Sequence, residues 1–315
     1  MDWNEQRLLI KIAKMYYDED LTQNQIAKQL GIYRTTIGRM LKKARAEGIV
    51  TIQINSDDDR KIALEEKIAS AFNMQEVLIA PSAEGEDEVK KREEVGKAAA
   101  ELLKRVVEDH DIVGVAWGNT IGSMVDHLPE FKEINADFVP LVGGPGKMNT
   151  NHHINTIVYK LSQAFKGNAH FIDAAAVYNS KETRNDIMQS SFFQEIHDLW
   201  ERLSVGIVGI GAPIRSSNMI WTGFFGDSEI NILEQHHAVG DICSRFYDIE
   251  GNVIESELSE RTIAVELSKL KELRYSIGVA ESIEKVESII GALRGGFINT
   301  LVTNEETAEE IIKHI

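Results

Sequence analysis

A single cysteine, Cys243, stands in 315 residues, so the chain cannot close a disulfide within itself. No Cys/His spacing matches a zinc site. The adjacent pairs His152–His153 and His236–His237 cannot face one ion as two ligands a helical turn apart do, so no metal is expected. No run of 18 apolar residues occurs, which excludes a membrane-spanning helix. The opening MDWNEQ lacks the basic segment and long apolar core of a secretory leader, so a cytoplasmic protein without a membrane partner is expected. Neither GxxxxGK[ST] nor GxGxxG after a first strand is present, which argues against ATP and NAD; no cofactor is expected. There is no internal repeat and no low-complexity segment. What is left is a soluble chain of about two domains, 43% hydrophobic.

Its net charge of −16 is unevenly spread. Residues 1–55 carry nine Lys/Arg against six Asp/Glu, a surplus of +3, which leaves −19 on residues 56–315. A polyanion would be repelled by that acidic body, so nucleic acid can dock only at the N-terminal end.

That end reads TQNQIAKQLGIYRTTIGRMLKKAR over residues 22–45. Thr22 caps a helix and Gln25 completes a capping box. Ile26, Ala27 and Leu30 form one apolar face. Gly31 ends the helix where positive φ is wanted. A second stripe, Ile37, Met40, Leu41 and Ala44, turns a following helix inward, which is the grammar of a helix-turn-helix. Arg34, Thr35, Gly38, Arg39, Lys42 and Lys43 then face outward. Arginine has the fork that matches guanine, so Arg34 and Thr35, at the helix start, are expected at base edges. Lys42 and Lys43, further along, suit phosphates. Gln25, Thr36 and Arg39 complete the expected DNA-contacting set. Gly38 costs about 1 kcal/mol in a helix interior relative to alanine; close approach to DNA or packing would each explain it.

Helix 5–17 precedes the motif and makes a three-helix head. GIVTIQI (48–54) alternates like a strand and predicts a wing, closing a DNA-binding domain at 1–55. Residues 56–75 hold a charged link and an amphipathic linker helix with Leu64, Ile68 and Phe72 on one face. From residue 76 to 315, apolar strands alternate with helices: 77–80, 111–118, 138–144, 203–211, 274–280 and 297–304. Continuous apolar strands of this kind predict a doubly wound, mostly parallel α/β sheet with ligands at the carboxyl ends of its strands. Three strand ends are rich in glycine: WGNT (117–120), VGGPGK (142–147) and GIGAP (209–213). Together they favour a small anionic or polyhydroxylated ligand, with Gly118, Asn119 and Thr120 at a helix start. Trp117 is either a stacking surface for a sugar or a core anchor. WTGFFGD (221–227) is either a lid or a subunit contact, and His152 is a further candidate ligand contact.

The head ending LKKARAEGIVTIQI, with WGNT, GDICSRFYD (240–248), ERTIAVEL (260–267) and ALRGGFINTLVTNEETA (292–308), resembles the SorC-type transcriptional regulators, a group named for a sorbitol/sorbose operon regulator. The likeness extends over essentially the whole chain. It implies an N-terminal helix-turn-helix and a C-terminal effector domain similar to sugar-phosphate isomerases and deaminases. It also implies a tetramer built as a dimer of dimers, whose grip on operator DNA is modulated by a sugar or sugar phosphate. By the same resemblance, phosphate would sit at Gly118–Thr120 and at Gly143 and Gly144, with Asp241 and Lys285 at the sugar. The deoxyribonucleoside-regulator subgroup forms a Schiff base through a lysine just before the paired glycines. Val142 stands there in this chain, so that covalent step is not expected. The alternative is a sugar-phosphate isomerase-like enzyme carrying a DNA-binding head, for which only Asp241 and Lys285 offer a catalytic pair.

Overall fold

The computed structural model describes residues 3–52, 59–81, 85, 87–128, 133–146, 152–212 and 227–315. They form two compact units, Met1–Asp59 and Arg60–Ile315.

In the first unit, helices α1 (Trp3–Tyr17), α2 (Gln23–Leu30) and α3 (Arg34–Ala46) enclose Ile12, Met15, Ile26, Ile37 and Leu41. The capping box at the start of α2 is complete: Gln25 N–H donates to Thr22 Oγ1, and the Gln25 side chain reaches back to the Thr22 backbone. Gly31 ends α2 at φ +66°, with its N–H on the Ala27 carbonyl, and this left-handed residue aims α3 away from α2. Among the described residues the strand of the expected wing (48–54) is not formed. Residues 47–50 turn back on the end of α3, where Ile49 and Val50 both donate to the Ala44 carbonyl, and residues 53–58 lie outside the described set.

The second unit, from Arg60, takes in all but the first residue of α4 (Asp59–Phe72), the predicted linker helix. Ile68 on this helix is fully buried in the effector-unit core, with Leu64 and Phe72 packed beside it. A seven-stranded, wholly parallel sheet follows. Its strands are β1 (Glu76–Ala80), β2 (Ile112–Val115), β3 (Asp137–Pro140), β4 (Asn168–Ala169), β5 (Val205–Gly209), β8 (Tyr275–Val279) and β9 (Thr300–Asn304), in spatial order β1-β9-β8-β5-β2-β3-β4. A two-stranded antiparallel hairpin, β6 (Gly240–Ile242) and β7 (Arg245–Tyr247), interrupts the winding.

Helices α5 (Glu88–Val106), α6 (Asn119–Asp126) and α7 (Ile154–Phe165) cover one face of the sheet. The other face meets α4 and four further helices: α9 (Ser191–Glu201), which follows α8 (Lys181–Met188), α12 (Leu267–Leu270), α13 (Val286–Arg294) and α14 (Glu305–Ile312). Helices α10 (Asp227–Gln235) and α11 (Glu257–Glu260) flank the hairpin. After β2 the chain winds outward to β3 and β4. After β5 it winds the opposite way, to β8 and β9. The order therefore reverses between β2 and β5, and a crevice opens at their carboxyl ends.

Candidate effector and DNA-binding sites

On the head, α3 carries five cations, Arg34, Arg39, Lys42, Lys43 and Arg45, and no carboxylate. Arg34, Thr35, Arg39 and Lys42 are exposed, and Thr36 is half-buried. Thr35, Gly38, Arg39, Lys42 and Arg45 line one groove with Gln23 of α2. A Cβ on Gly38 would lie 3.3 Å from Gln23 Oε1, so the glycine eases packing between the two helices.

Two expected DNA contacts are otherwise employed. Gln25 Oε1 accepts from Thr22 N–H at 2.8 Å and from Thr22 Oγ1 at 2.7 Å, so capping occupies its carbonyl. Lys43 turns back to α1 and donates to Glu5, holding that carboxyl below its usual range. A residue that helix periodicity overlooked stands out instead. Tyr33, the N-cap of α3, makes no side-chain cap bond and is 86% exposed.

In the second unit the crevice between β2 and β5 widens into a cavity of about 430 Å³. Gly118, Asn119 and Thr120 line it at the start of α6, Gly209–Gly211 at the end of β5, and Glu281–Lys285 after β8. The β6–β7 hairpin closes one wall with Asp241, Cys243 and Ser244. Of the expected ligand contacts, Gly118, Asn119, Thr120, Asp241 and Lys285 thus come together from distant parts of the chain.

Gly143, Gly144 and His152 do not join them among the described residues. Gly143 N–H donates to the Ile263 carbonyl at 2.9 Å and Gly144 N–H to the Ala174 carbonyl at 2.7 Å, so neither amide is left for a phosphate. Their role is to stitch the segment after β3 to its neighbours. His152 packs its ring against α6, where a Cβ on Gly122 would meet it at 2.4 Å, and lies 3.8 Å from Asp126. The helix itself begins at Ile154. Trp117 lines the cavity, is packed against the core, and donates its Nε1–H to the Gly143 carbonyl at 3.1 Å. Arg245 and Arg261 are structural. Arg245 is buried and donates to the Ser259 and Ala264 carbonyls and to Glu266, whereas Arg261 reaches the Tyr178 carbonyl and Glu229. Lys147 and residues 221–226 of the WTGFFGD loop lie outside the described residues.

The electrostatics centre on two carboxyls. Asp241 pairs its backbone with Gly211 in both directions at 3.0 Å, and a Cβ on Gly211 would fall 2.1 Å from Asp241 Oδ1. Only glycine lets the hairpin approach β5 this closely. Burial pushes the Asp241 carboxyl up to about 6, against the lowering influence of the Ser244 N–H and the Lys285 ammonium. The Cys243 thiol is likewise pushed up by burial, and it is no nucleophile.

The second carboxyl, Glu281, was not legible in the sequence. It is 2% exposed, takes Arg92 Nε on Oε1 at 2.9 Å, and takes the Thr120 hydroxyl on Oε2 at 2.8 Å. The loops around it are strained. Cys243, Ser244 and Ser282 all line the cavity with positive φ, at +54°, +61° and +108°. Each such non-glycine residue costs on the order of 1–3 kcal/mol, and residues of this kind gather at ligand sites.

A cationic helix-turn-helix and an α/β unit with a polar crevice at its switch point define a one-component regulator that binds a small molecule. A family model for a "Putative sugar-binding domain" matches residues 57–313. The chain is 43% identical to the sorbitol operon regulator of Klebsiella pneumoniae, over 98% of both chains. It is 29% identical to the deoxyribonucleoside regulator of Bacillus subtilis, over the full length of each. The crystal structure of the full-length Klebsiella regulator superposes with a TM-score of 0.77, covering 96% of this chain and 97% of that one. A transcriptional regulator from Streptococcus pneumoniae, 29% identical, also gives 0.77 over 82% of this chain and 99% of that chain. The chain belongs to the SorC family of sugar-binding transcriptional regulators. It is a transcriptional regulator, and the enzyme alternative falls, because these relatives are regulators over their whole length. No helix among the described residues is long and apolar enough to cross a membrane.

Proposed function

We propose that the protein controls a carbohydrate-utilisation operon, with a sugar or sugar phosphate in the β2–β5 crevice setting how the heads hold operator DNA. The observation that carries this is the meeting of Thr120, Asp241, Glu281 and Lys285, from three separate segments, around one cavity at the sheet's switch point. Carboxylates accept two hydrogen bonds from vicinal hydroxyls, and an ammonium with a helix start suits an anionic group. The likeness to the sorbitol operon regulator makes hexitols and ketohexoses, free or phosphorylated, the first ligands to try.

Arg34, Thr35, Thr36, Arg39 and Lys42 form the proposed DNA-facing set, with Tyr33 added to it. One head offers few base contacts, so paired heads on two half-sites are required for tight binding. The proposed assembly is a tetramer working as a dimer of dimers in the cytoplasm. An effector acts only through unequal affinity for the DNA-bound arrangement and its alternative.

The test begins with selection of a tight-binding duplex from a random library. Release or retention of that duplex is then followed against a panel of free and phosphorylated hexoses, hexitols and pentoses. A change in duplex affinity caused by one class of sugar supports the reading. A protein that melts at the same temperature with every sugar, and whose duplex none of them affects, overturns it.

A further inference from the structure

The β6–β7 hairpin contains a feature that packing does not explain. Ile242 pairs with Arg245 across a two-residue turn, so Cys243 and Ser244 are its central residues, both at positive φ. A turn of this shape favours Asn-Gly or Gly-Gly, because an L side chain is strained there. Ser244 is nevertheless a serine, 2% exposed and lining the cavity beside Asp241, and its Oγ has no hydrogen-bond partner among the described residues. Its backbone N–H is already used, donating to the Asp241 carboxylate. The side chain thus combines two unfavourable features, strained backbone and a desolvated hydroxyl without a partner, at the wall of the proposed effector site. A glycine would relieve both.

We infer that Ser244 is a specificity-determining residue: its hydroxyl receives one hydroxyl of the bound sugar, next to the hydroxyl taken by Asp241. This rests on the cavity being the sugar site. The chemistry fits a vicinal diol. The Ser244 hydroxyl can donate and accept, the neighbouring carboxylate accepts, and the turn fixes the two side by side through the Ser244 N–H. The empty protein bears the cost of an unpaired buried hydroxyl, and the ligand removes it.

The experiment compares the wild-type protein with Ser244→Ala and Ser244→Gly, by thermal unfolding without ligand and by calorimetric titration with the sugar panel. Both variants should melt at or above the wild-type temperature when empty, with Ser244→Gly the higher, since each loses an unpaired polar group and glycine also loses the strain. Both should bind the preferred sugar about tenfold more weakly, the value of one hydrogen bond. The deoxy analogue lacking the matching hydroxyl should bind wild type and Ser244→Ala equally. A drop of several degrees in the empty Ser244→Ala protein would give the hydroxyl a structural partner and overturn the inference. Unchanged sugar affinity in both variants would overturn it alone, leaving the sugar site standing. A wild-type protein that binds nothing in the panel would overturn the sugar site and this inference together.

Discussion

Thr120, on the first turn of α6, donates its hydroxyl to Glu281 Oε2 at 2.8 Å, while Arg92 holds the other carboxylate oxygen at 2.9 Å. The three groups come from α6, the loop after β8 and α5, so one buried carboxylate ties together three walls of the cavity. Arg92→Ala leaves that carboxylate with the Thr120 hydroxyl as its one side-chain partner among the described residues. Stability should fall by about 2–3 kcal/mol, less than for a fully buried pair because the Arg92 side chain is 34% exposed. Adding Glu281→Gln to Arg92→Ala should recover part of the loss. Urea denaturation of the single and double variants decides this, and equal stability for the two would show that the carboxylate does not depend on Arg92.

Asp241 gives the protein a characteristic response to pH. Its carboxyl is raised to about 6 in the folded protein, above its ordinary 3.8, so the native state binds the proton more tightly than the unfolded chain. Stability therefore declines as pH rises from about 4 to about 6, by at most about 3 kcal/mol, and by less because the carboxyl opens onto a cavity. Asp241→Asn should abolish that decline, so the difference between variant and wild type should grow across this window and then level off. Parallel melting curves for the two proteins between pH 4 and 7 would refute this.

Gly143 separates a structural role from a ligand-binding one. A Cβ there would meet the Ala175 carbonyl oxygen at 2.5 Å, and backbone cannot step aside as a side chain can. Gly143→Ala should cost on the order of 2–3 kcal/mol in the protein without any effector. If it melts like the wild type and only sugar binding suffers, Gly143 belongs to the ligand after all.

The two lysines of α3 should behave differently on DNA. Lys42 is exposed, whereas Lys43 is paired with Glu5. Lys42→Ala should flatten the plot of log affinity against log salt by about 0.9, and Lys43→Ala should scarcely change it. Tyr33→Ala should weaken duplex binding without altering the melting temperature, because the ring is already 86% exposed. Fluorescence anisotropy of a labelled duplex over a salt series measures all three. Equal slopes for the two lysine variants would mean that Glu5 surrenders Lys43 when DNA arrives.

Sequence pattern reached the elements made by strong local rules. The helix-turn-helix announced itself through Thr22, Gln25 and Gly31, and six parallel strands through continuous apolar runs. The expected runs were longer than the strands, as at 111–118 against Ile112–Val115, because the glycine-rich ends leave the sheet to line the crevice. β4, with two residues, and the β6–β7 hairpin, with three-residue strands, are too short to show a period. The partners inside the site were equally hidden. Arg92 and Glu281 lie 189 positions apart and meet because α5, which carries Arg92, packs across β9 and β8, the strand that Glu281 follows. The paired glycines misled for a related reason: their amides point at carbonyls of segments far along the chain.

β1 has a single neighbour in the sheet, β9, which ends at Asn304. A chain growing from its amino end therefore makes all three helices of the head more than two hundred residues before β1 can pair. Until the last strand is made, the sheet has no β8–β9–β1 edge, and α4 waits beside an unfinished core. A message cut short near its 3′ end would thus yield a folded head on an effector unit that cannot close, a regulator deaf to its signal.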